Sequence, residues 1–175
     1  MPNVVDYYSE SNYKFNLALQ WGDRVQRGQS FTGNGNQLYS AKFFLSNHGT
    51  ISGNMYALFY AHTGTYGTSS LPLGNSLLTS SPIAVSSLTT TPTLVEFIFT
   101  PYTLVDGTHY VIVIYYPGGD ATHYINVGCD NSGATHGGNA CYTLNGTNWS
   151  VESAGVDIIF YVYGISTFVP QIIVN

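Results

Sequence analysis

The stretch "TLVEFIFTPYTLVDGTHYVIVIYY", Thr93 to Tyr116, decides the fold class because it holds two β-strand patterns separated by a turn signal. In its first half Val95, Phe97 and Phe99 share one face, whereas Glu96 lies on the other. A buried row opposed by a face with a charge predicts an antiparallel strand with one side in water. The second half, "HYVIVIYY", is apolar on both faces, which predicts a central strand covered on both sides.

Further strand patterns occur along the whole chain, among them "QLYSAKFFL" (37–45), "NMYALFYA" (54–61) and "VDIIFYVYG" (156–164). They are rich in β-branched and aromatic residues and are separated by turn signals such as "GNGN", "PGGD" and "LNGTNW". No stretch sustains helical periodicity over three turns. With about ten strand patterns and no helix, the sequence predicts an all-β, antiparallel two-sheet β-sandwich of the jelly-roll type.

The composition argues against charged partners. Only 7% of the 175 residues are charged, 15% are aromatic, and the net charge is -5. The four basic residues all precede residue 43. Because nucleic-acid binding needs clustered cations, we expect neither a nucleic-acid partner nor binding to an anionic membrane surface. No segment reaches the roughly 20 apolar residues of a membrane span.

The N-terminal segment "MPNVVDYYSESN" has neither a basic start nor an apolar run, so it does not resemble a signal peptide. A surface built from Ser, Thr, Asn, Gly and Tyr is typical of extracellular and virion β-proteins. We therefore expect a location in a virion or on an extracellular surface. The protein would reach it by assembly into a virus particle, or by an export signal that this sequence does not contain.

We expect a single domain over residues 1–165, followed by an apolar tail over residues 166–175. The apolar side chains of the tail are too many for a free end in water, where termini are normally polar. They are Phe168, Val169, Ile172, Ile173 and Val174. Either the tail folds back along its own sheet, or it pairs with an exposed strand edge of a neighbouring copy. We favour the second alternative, which predicts a homo-oligomer.

The segment "GGDATHYINVGCDNSGATHGGNACY", residues 118–142, collects several chemically active residue types in one glycine-rich region. A glycosidase would need two carboxylates about 5 to 10 Å apart, one of them protonated. Asp120 and Asp130 are flanked by Gly and Asn, in loops where a raised pKa is not expected. No "GxSxG" or "HExxH" motif is present. We therefore predict a strand–loop–strand scaffold, no catalytic residue and no enzyme activity.

Two further hypotheses concern this segment. Oxygen ligands from Asp120, Asp130 and Asn131 would suit a structural calcium ion, although the order of an EF-hand loop is absent; the alternative is that these are solvated loop residues. No other cofactor is expected. Cys129 and Cys141 are the two cysteines of the chain, and either a disulfide between them or two free thiols on neighbouring strands fits their spacing.

Non-covalent recognition of sugars is the remaining hypothesis. Sugar sites pair an exposed aromatic ring with amide, carboxylate or backbone groups. The residues of these types in "THYINVGCDNSG", "HGGNACY" and "GTNW" are Tyr124, Asn126, Asp130, Asn131, His136, Asn139, Tyr142 and Trp149. The alternative is that the aromatic residues are partly buried strand positions and that the polar ones form turns.

The order of these blocks resembles a known family. "QSFTG", "KFFLSNHGTISGNMYALFYAHTGTYGTSSLPLG", "LTSSPIAVSSL", "VEFIF", "LVDGTHYVIVIYYPGGDATHYINVG" and "DIIFYVYG" are similar to the choice-of-anchor or carbohydrate-binding-like jelly-roll module of phage structural proteins and bacterial surface proteins. The resemblance covers about residues 4 to 164. It implies a β-sandwich without an enzymatic role that belongs to a larger extracellular or virion assembly, and it supplies no established binding residues.

The expectation is therefore a non-enzymatic structural or decorating subunit of a phage virion or a microbial cell surface that also engages glycans. The alternative is a stand-alone carbohydrate-binding module.

Overall fold

The computed structural model describes residues 1–133 and 136–166, and almost every regular element in them is a β-strand. Sheet A contains β1 (Asn3–Tyr8), β2 (Phe15–Leu19), β4 (Gln37–His48), β8 (Thr93–Thr103), β10 (Tyr124–Asp130), β13 (Asp157–Ile158) and β14 (Phe160–Ile165). Sheet B contains β3 (Gln26–Thr32), β5 (Asn54–Thr63), β6 (Leu71–Thr79), β7 (Ile83–Ala84), β9 (His109–Tyr115), β11 (Ala140–Thr143) and β12 (Trp149–Val151). Two 3-10 helices span Glu10–Asn12 and Val85–Ser87.

The predicted two-sheet antiparallel sandwich is confirmed, and the strand order is that of a jelly roll. Across sheet A the order β1–β14–β4–β8 applies, and across sheet B the order β3–β9–β5–β6. Consecutive strands β3, β4 and β5 alternate between the sheets, as do β8 and β9. Such alternation is what two interlocked Greek keys require. Among the described residues, no helix has the length and apolarity to cross a membrane.

The two strands of the opening stretch lie in different sheets. β8 pairs with β4 in sheet A, whereas β9 pairs with both β3 and β5 in sheet B. Phe97 and Phe99 are buried, and Ile98 between them is 39% exposed, as the alternation predicted. Residues 110–114 of β9 are buried without a break, which confirms a central strand covered on both faces.

The core between the sheets is aromatic and aliphatic. Phe31, Phe43, Phe59, Phe97 and Phe160 are among its fully buried side chains. The rings of Phe43 and Phe97 meet edge to face at 6.1 Å, across the β4–β8 pairing of sheet A. These contacts join the strands on which the jelly-roll order depends.

A second, smaller apolar cluster lies on the opposite side of sheet B. It consists of Leu58, Tyr60, Val111, Val113 and Cys141, packed against partly buried residues that include Trp149. These side chains are buried although they point away from sheet A, because sheet B curls until its edge strands β6 and β12 contact each other. The outer face of sheet B is therefore a concave trough.

A glycine in β3 permits this packing. A Cβ atom on Gly28 would lie 2.8 Å from Cγ2 of Val113 and 3.0 Å from Cγ1 of Val111. Both distances are shorter than carbon–carbon packing allows. A side chain at this position would therefore force Val111 and Val113 to shift.

The segment from residue 118 to residue 142 contains two strands, as predicted. Its strands are β10 and β11, which lie in sheet A and sheet B respectively, so the chain passes from one sheet to the other between them. Residues 134 and 135 between these strands, and the predicted inter-subunit residues of the tail, lie outside the described residues.

Replacement of Phe97 by Ala should destabilise the protein by about 3–5 kcal/mol, because it leaves a cavity in the core between the sheets. The matched control is Ile98→Ala on the same strand, which should cost less than about 1 kcal/mol because Ile98 points into solvent. Urea denaturation followed by circular dichroism measures both. Equal losses for the two variants would contradict the described orientation of β8.

Candidate functional site

The trough on the outer face of sheet B opens into a groove of about 560 Å³, which we call the Trp149 groove. One wall comes from β5 and β6, and the other comes from β12 and the turn before it. The lining residues are Tyr60, Pro72, Gly74, Asn75, Ser76, Gly146, Thr147 and Trp149. The volume lies within the range of about 300–1,000 Å³ that is typical of small-molecule sites.

Two aromatic rings form the apolar part of the groove. Trp149 opposes Thr143 in the β11–β12 pairing, and its ring lies 5.8 Å from that of Tyr60 at an angle of 72°. Tyr60 is 6% exposed, whereas Trp149 is only partly buried. The indole therefore covers the second apolar cluster and keeps part of its surface open to the groove.

Uncharged polar groups form the rim. Asn75 and Thr147 are exposed, and Ser76 is partly buried. Burial raises the pKa of the Tyr60 hydroxyl, against a smaller opposing effect of its hydrogen bond with Ser76. Hydroxyl and amide groups both donate and accept hydrogen bonds, so the rim is suited to a partner rich in hydroxyl groups.

The turn that carries the groove's second wall is held by its own hydrogen bonds. Oδ1 of Asn145 accepts from the amides of Thr147 and Asn148, at 3.0 and 2.9 Å, and from Oγ1 of Thr147 at 3.1 Å. Gly146 has φ 82°, a conformation that favours glycine. This wall is therefore built before any ligand arrives, which reduces the ordering cost of binding.

A second polar site lies between the sheets and surrounds His136. Nδ1 of His136 accepts from the amide of Gly138 at 3.0 Å and lies 3.2 Å from Nε2 of Gln29. Nε2 of His136 lies 3.2 Å from Oδ1 of Asp6. Because the Gly138 amide can only donate, Nδ1 is the acceptor and Nε2 carries the proton towards Asp6. The ring thus connects β1 and β3, and its lone pair is already occupied.

Two carboxylates share a cavity with His136: Asp157 is buried and Glu152 is partly buried. Oδ1 of Asp157 accepts from Nε2 of Gln29 at 2.6 Å, and Glu152 forms an ion pair with Arg27. A cavity of about 180 Å³ beside them is lined by backbone and side chains of residues 67–68, 136, 138–139 and 151–157. Sequence reasoning missed these two acids, because their burial depends on contacts between distant strands.

The structure does not bring the eight predicted sugar-binding residues into one site. Of these eight, Trp149 alone lines the groove. Tyr124 and Asn126 lie on the outer face of sheet A, where the Tyr124 ring stacks on His48 at 4.5 Å and Nδ2 of Asn126 donates to Ser46.

The other predicted residues have structural contacts or lie apart. Asp130 is buried and accepts a 2.7 Å hydrogen bond from Tyr8, while Asn131 next to it is exposed. Asn139 holds the loop before β6 through hydrogen bonds with the backbone of Ser70, as acceptor at 2.9 Å and as donor at 3.2 Å. The ring of Tyr142 lies 4.6 Å under the guanidinium of Arg24.

The structure does not bring the predicted calcium ligands Asp120, Asp130 and Asn131 together. Asp120 precedes β10 and Asp130 ends it, and a strand of this length separates them by about 20 Å at ~3.3 Å per residue. Oδ1 of Asp120 instead accepts from the amide and hydroxyl of Thr122, at 2.7 and 2.8 Å. The described residues include no group of three or more His, Cys, Asp or Glu side chains that could hold a metal ion.

Of the two alternatives for Cys129 and Cys141, the disulfide is wrong, because both thiols are free and fully buried. The free thiols do not lie on neighbouring strands, since β10 belongs to sheet A and β11 to sheet B. Cys129 lies in the core between the sheets, whereas Cys141 belongs to the cluster on the outer side of sheet B. Sheet B itself therefore separates the two thiols. Burial raises the pKa of each thiol, so both are kept in the unreactive protonated form.

Comparison with family models, with curated proteins and with solved structures gave no match. The resemblance to the choice-of-anchor or carbohydrate-binding-like module therefore remains a prediction from the sequence.

Replacement of Asp157 by Asn should raise stability relative to the wild type by an amount that grows as the pH rises from acid to neutral. Burial raises the pKa of Asp157, so the folded protein binds this proton more tightly than the unfolded chain does. Ionisation of Asp157 therefore lowers stability as the pH rises above its ordinary pKa and through its raised one. Urea denaturation at a series of pH values measures the effect.

Asp120→Asn is the matched control with the opposite sign. Hydrogen bonds from Thr122 and His123 hold the pKa of Asp120 well below its ordinary value, so this variant should lose stability at neutral pH and approach the wild type as the pH falls. A stability difference between Asp157→Asn and the wild type that does not change with pH would contradict the described burial of Asp157.

Proposed function

We propose that the protein is a non-enzymatic subunit of a virion or a microbial cell surface that binds glycans in the Trp149 groove. The observation that carries this proposal is the partly exposed indole of Trp149, set against Tyr60 in a concave, preformed groove with an uncharged polar rim. The location and the structural role are supported by composition and by the sequence resemblance alone.

The chemistry of sugars explains the choice of ligand. A pyranose ring has an apolar C–H face and a rim of hydroxyl groups. The C–H face packs on an indole, while the hydroxyl groups need partners that both donate and accept. Trp149 supplies the first contact, and Asn75, Ser76 and Thr147 supply the second within the same groove.

Trp149→Ala should weaken glycan binding by about tenfold or more, because it removes a central aromatic contact. A glycan array identifies the bound sugar, and isothermal titration calorimetry measures its affinity for each variant. Trp21→Ala is the matched control, since Trp21 is 63% exposed and does not line the groove. This variant also leaves Trp149 as the remaining tryptophan, so its fluorescence reports directly on the groove.

A second variant separates binding from folding, since Trp149 also covers an apolar cluster. Asn75 is exposed, and Asn75→Ala should weaken glycan binding without changing the melting temperature. Unchanged affinity in both Trp149→Ala and Asn75→Ala would refute the groove as the binding site.

The predicted homo-oligomer belongs to this proposal, because a virion or surface subunit acts within an assembly. Deletion of residues 166–175 should convert the protein into a folded monomer, since the apolar tail is expected to pair with a neighbouring copy. Light scattering measures the mass, and circular dichroism checks the fold. A wild-type monomer would favour the stand-alone carbohydrate-binding module, whereas a deletion variant that keeps its oligomeric mass would remove the tail from the interface.

A further inference from the structure

We infer that the Trp149 groove selects neutral glycans and binds them without a metal ion. This inference rests on the proposed function and adds the ligand class. The described residues that line the groove carry hydroxyl, amide, aromatic and backbone groups, and none of these side chains is charged. A carboxylate, sulfate or phosphate on a sugar would find no cation to replace its hydration.

The basic residues of the chain are placed elsewhere. Arg27 is buried beside Glu152, and Arg24 lies over the ring of Tyr142 with its own contact to Asp23. Lys42 lies over the ring of Tyr163 on sheet A. The backbone of the fourth, Lys14, is bonded to β10 of sheet A. No conformational change within the groove alone would supply a cation to an anionic sugar.

The electrostatic field of the whole protein also disfavours acidic glycans. The net charge is -5, so a polyanionic glycan is repelled at long range, and this repulsion is strongest at low salt. A neutral glycan is unaffected. Two features therefore favour neutral glycans: the groove has no cationic side chain to pair with an anion, and the negative net charge disfavours the approach of anions.

The same lining argues against a bridging metal. Sugar sites that depend on calcium hold the ion with carboxylate oxygens, which also orient the sugar hydroxyl groups. The groove offers the side-chain oxygens of Asn75, Ser76 and Thr147 but no carboxylate. Tyr60 is already hydrogen-bonded to Ser76. Binding is therefore expected to be independent of divalent cations.

The experiment uses pairs of neutral and acidic probes: lactose with 3′-sialyllactose, dextran with dextran sulfate, and methyl-esterified polygalacturonate with polygalacturonate. The affinities of these probes, and of the sugars that bind on the glycan array, are measured by the fluorescence of Trp149 in the Trp21→Ala protein and by calorimetry. Neutral probes that bind should bind at least about tenfold more tightly than their acidic partners. Their affinity should be unchanged by EDTA and by added salt.

The outcomes distinguish a failure of this inference from a failure of the proposed function. If the binding that depends on Trp149 favours the acidic partner, or if EDTA abolishes it, this inference is overturned and the proposed function stays intact. An array and probe set on which no binding depends on Trp149 would overturn both. Asn75→Lys adds a cation at the rim and should shift the preference towards the acidic partner, whereas an unchanged preference would show that the missing cation does not set it.

Discussion

The double burial of β9 is the constraint on which the rest of this structure depends. Its residues 110–114 are covered on one side by the core between the sheets and on the other by the cluster around Val111 and Val113. The strands of a jelly roll normally need to be buried only on the side that faces the other sheet. Burial of the second side requires sheet B to curl until β6 and β12 meet, and this curl creates the trough in which the Trp149 groove lies.

A buried ion pair connects the groove to both sheets. Arg27 projects from β3 of sheet B, and its Nε donates to the carbonyl of Ala18 in β2 of sheet A at 2.9 Å. Its partner Glu152 directly follows β12. Burial lowers the pKa of Arg27, and the charge of Glu152 opposes this effect. Loss of either partner would leave an uncompensated buried charge, so the strand that carries Trp149 is held by electrostatics as well as by packing.

The sequence predicted those features that depend on local alternation. The faces of β8 and the two-sided burial of β9 were correct because each is set by the order of apolar residues within one strand. The sequence could not predict which candidate site residues lie close together in space, because the strands of the sandwich place residues that are close in sequence far apart. β10 separates Asp120 from Asp130, and sheet B separates Cys129 from Cys141. Trp149 was identified by residue type, whereas its partner Tyr60 is 89 positions away in the numbering of the chain.

The scarcity of charge explains both what was hard to predict and what the groove offers. In a chain with 7% charged residues, several of the few charged side chains are used in the interior: Asp130, Asp157 and Arg27 are buried, and the side chain of Glu152 is 10% exposed. Of the two carboxylates in the glycine-rich segment, Asp130 is such an interior position and accepts a hydrogen bond from Tyr8, whereas Asp120 is exposed. The groove on the outer face of sheet B is lined mainly by hydroxyl, amide and aromatic groups. These groups give weak sequence signals one by one, but gathered on a concave face they are the groups on which the proposed sugar binding depends.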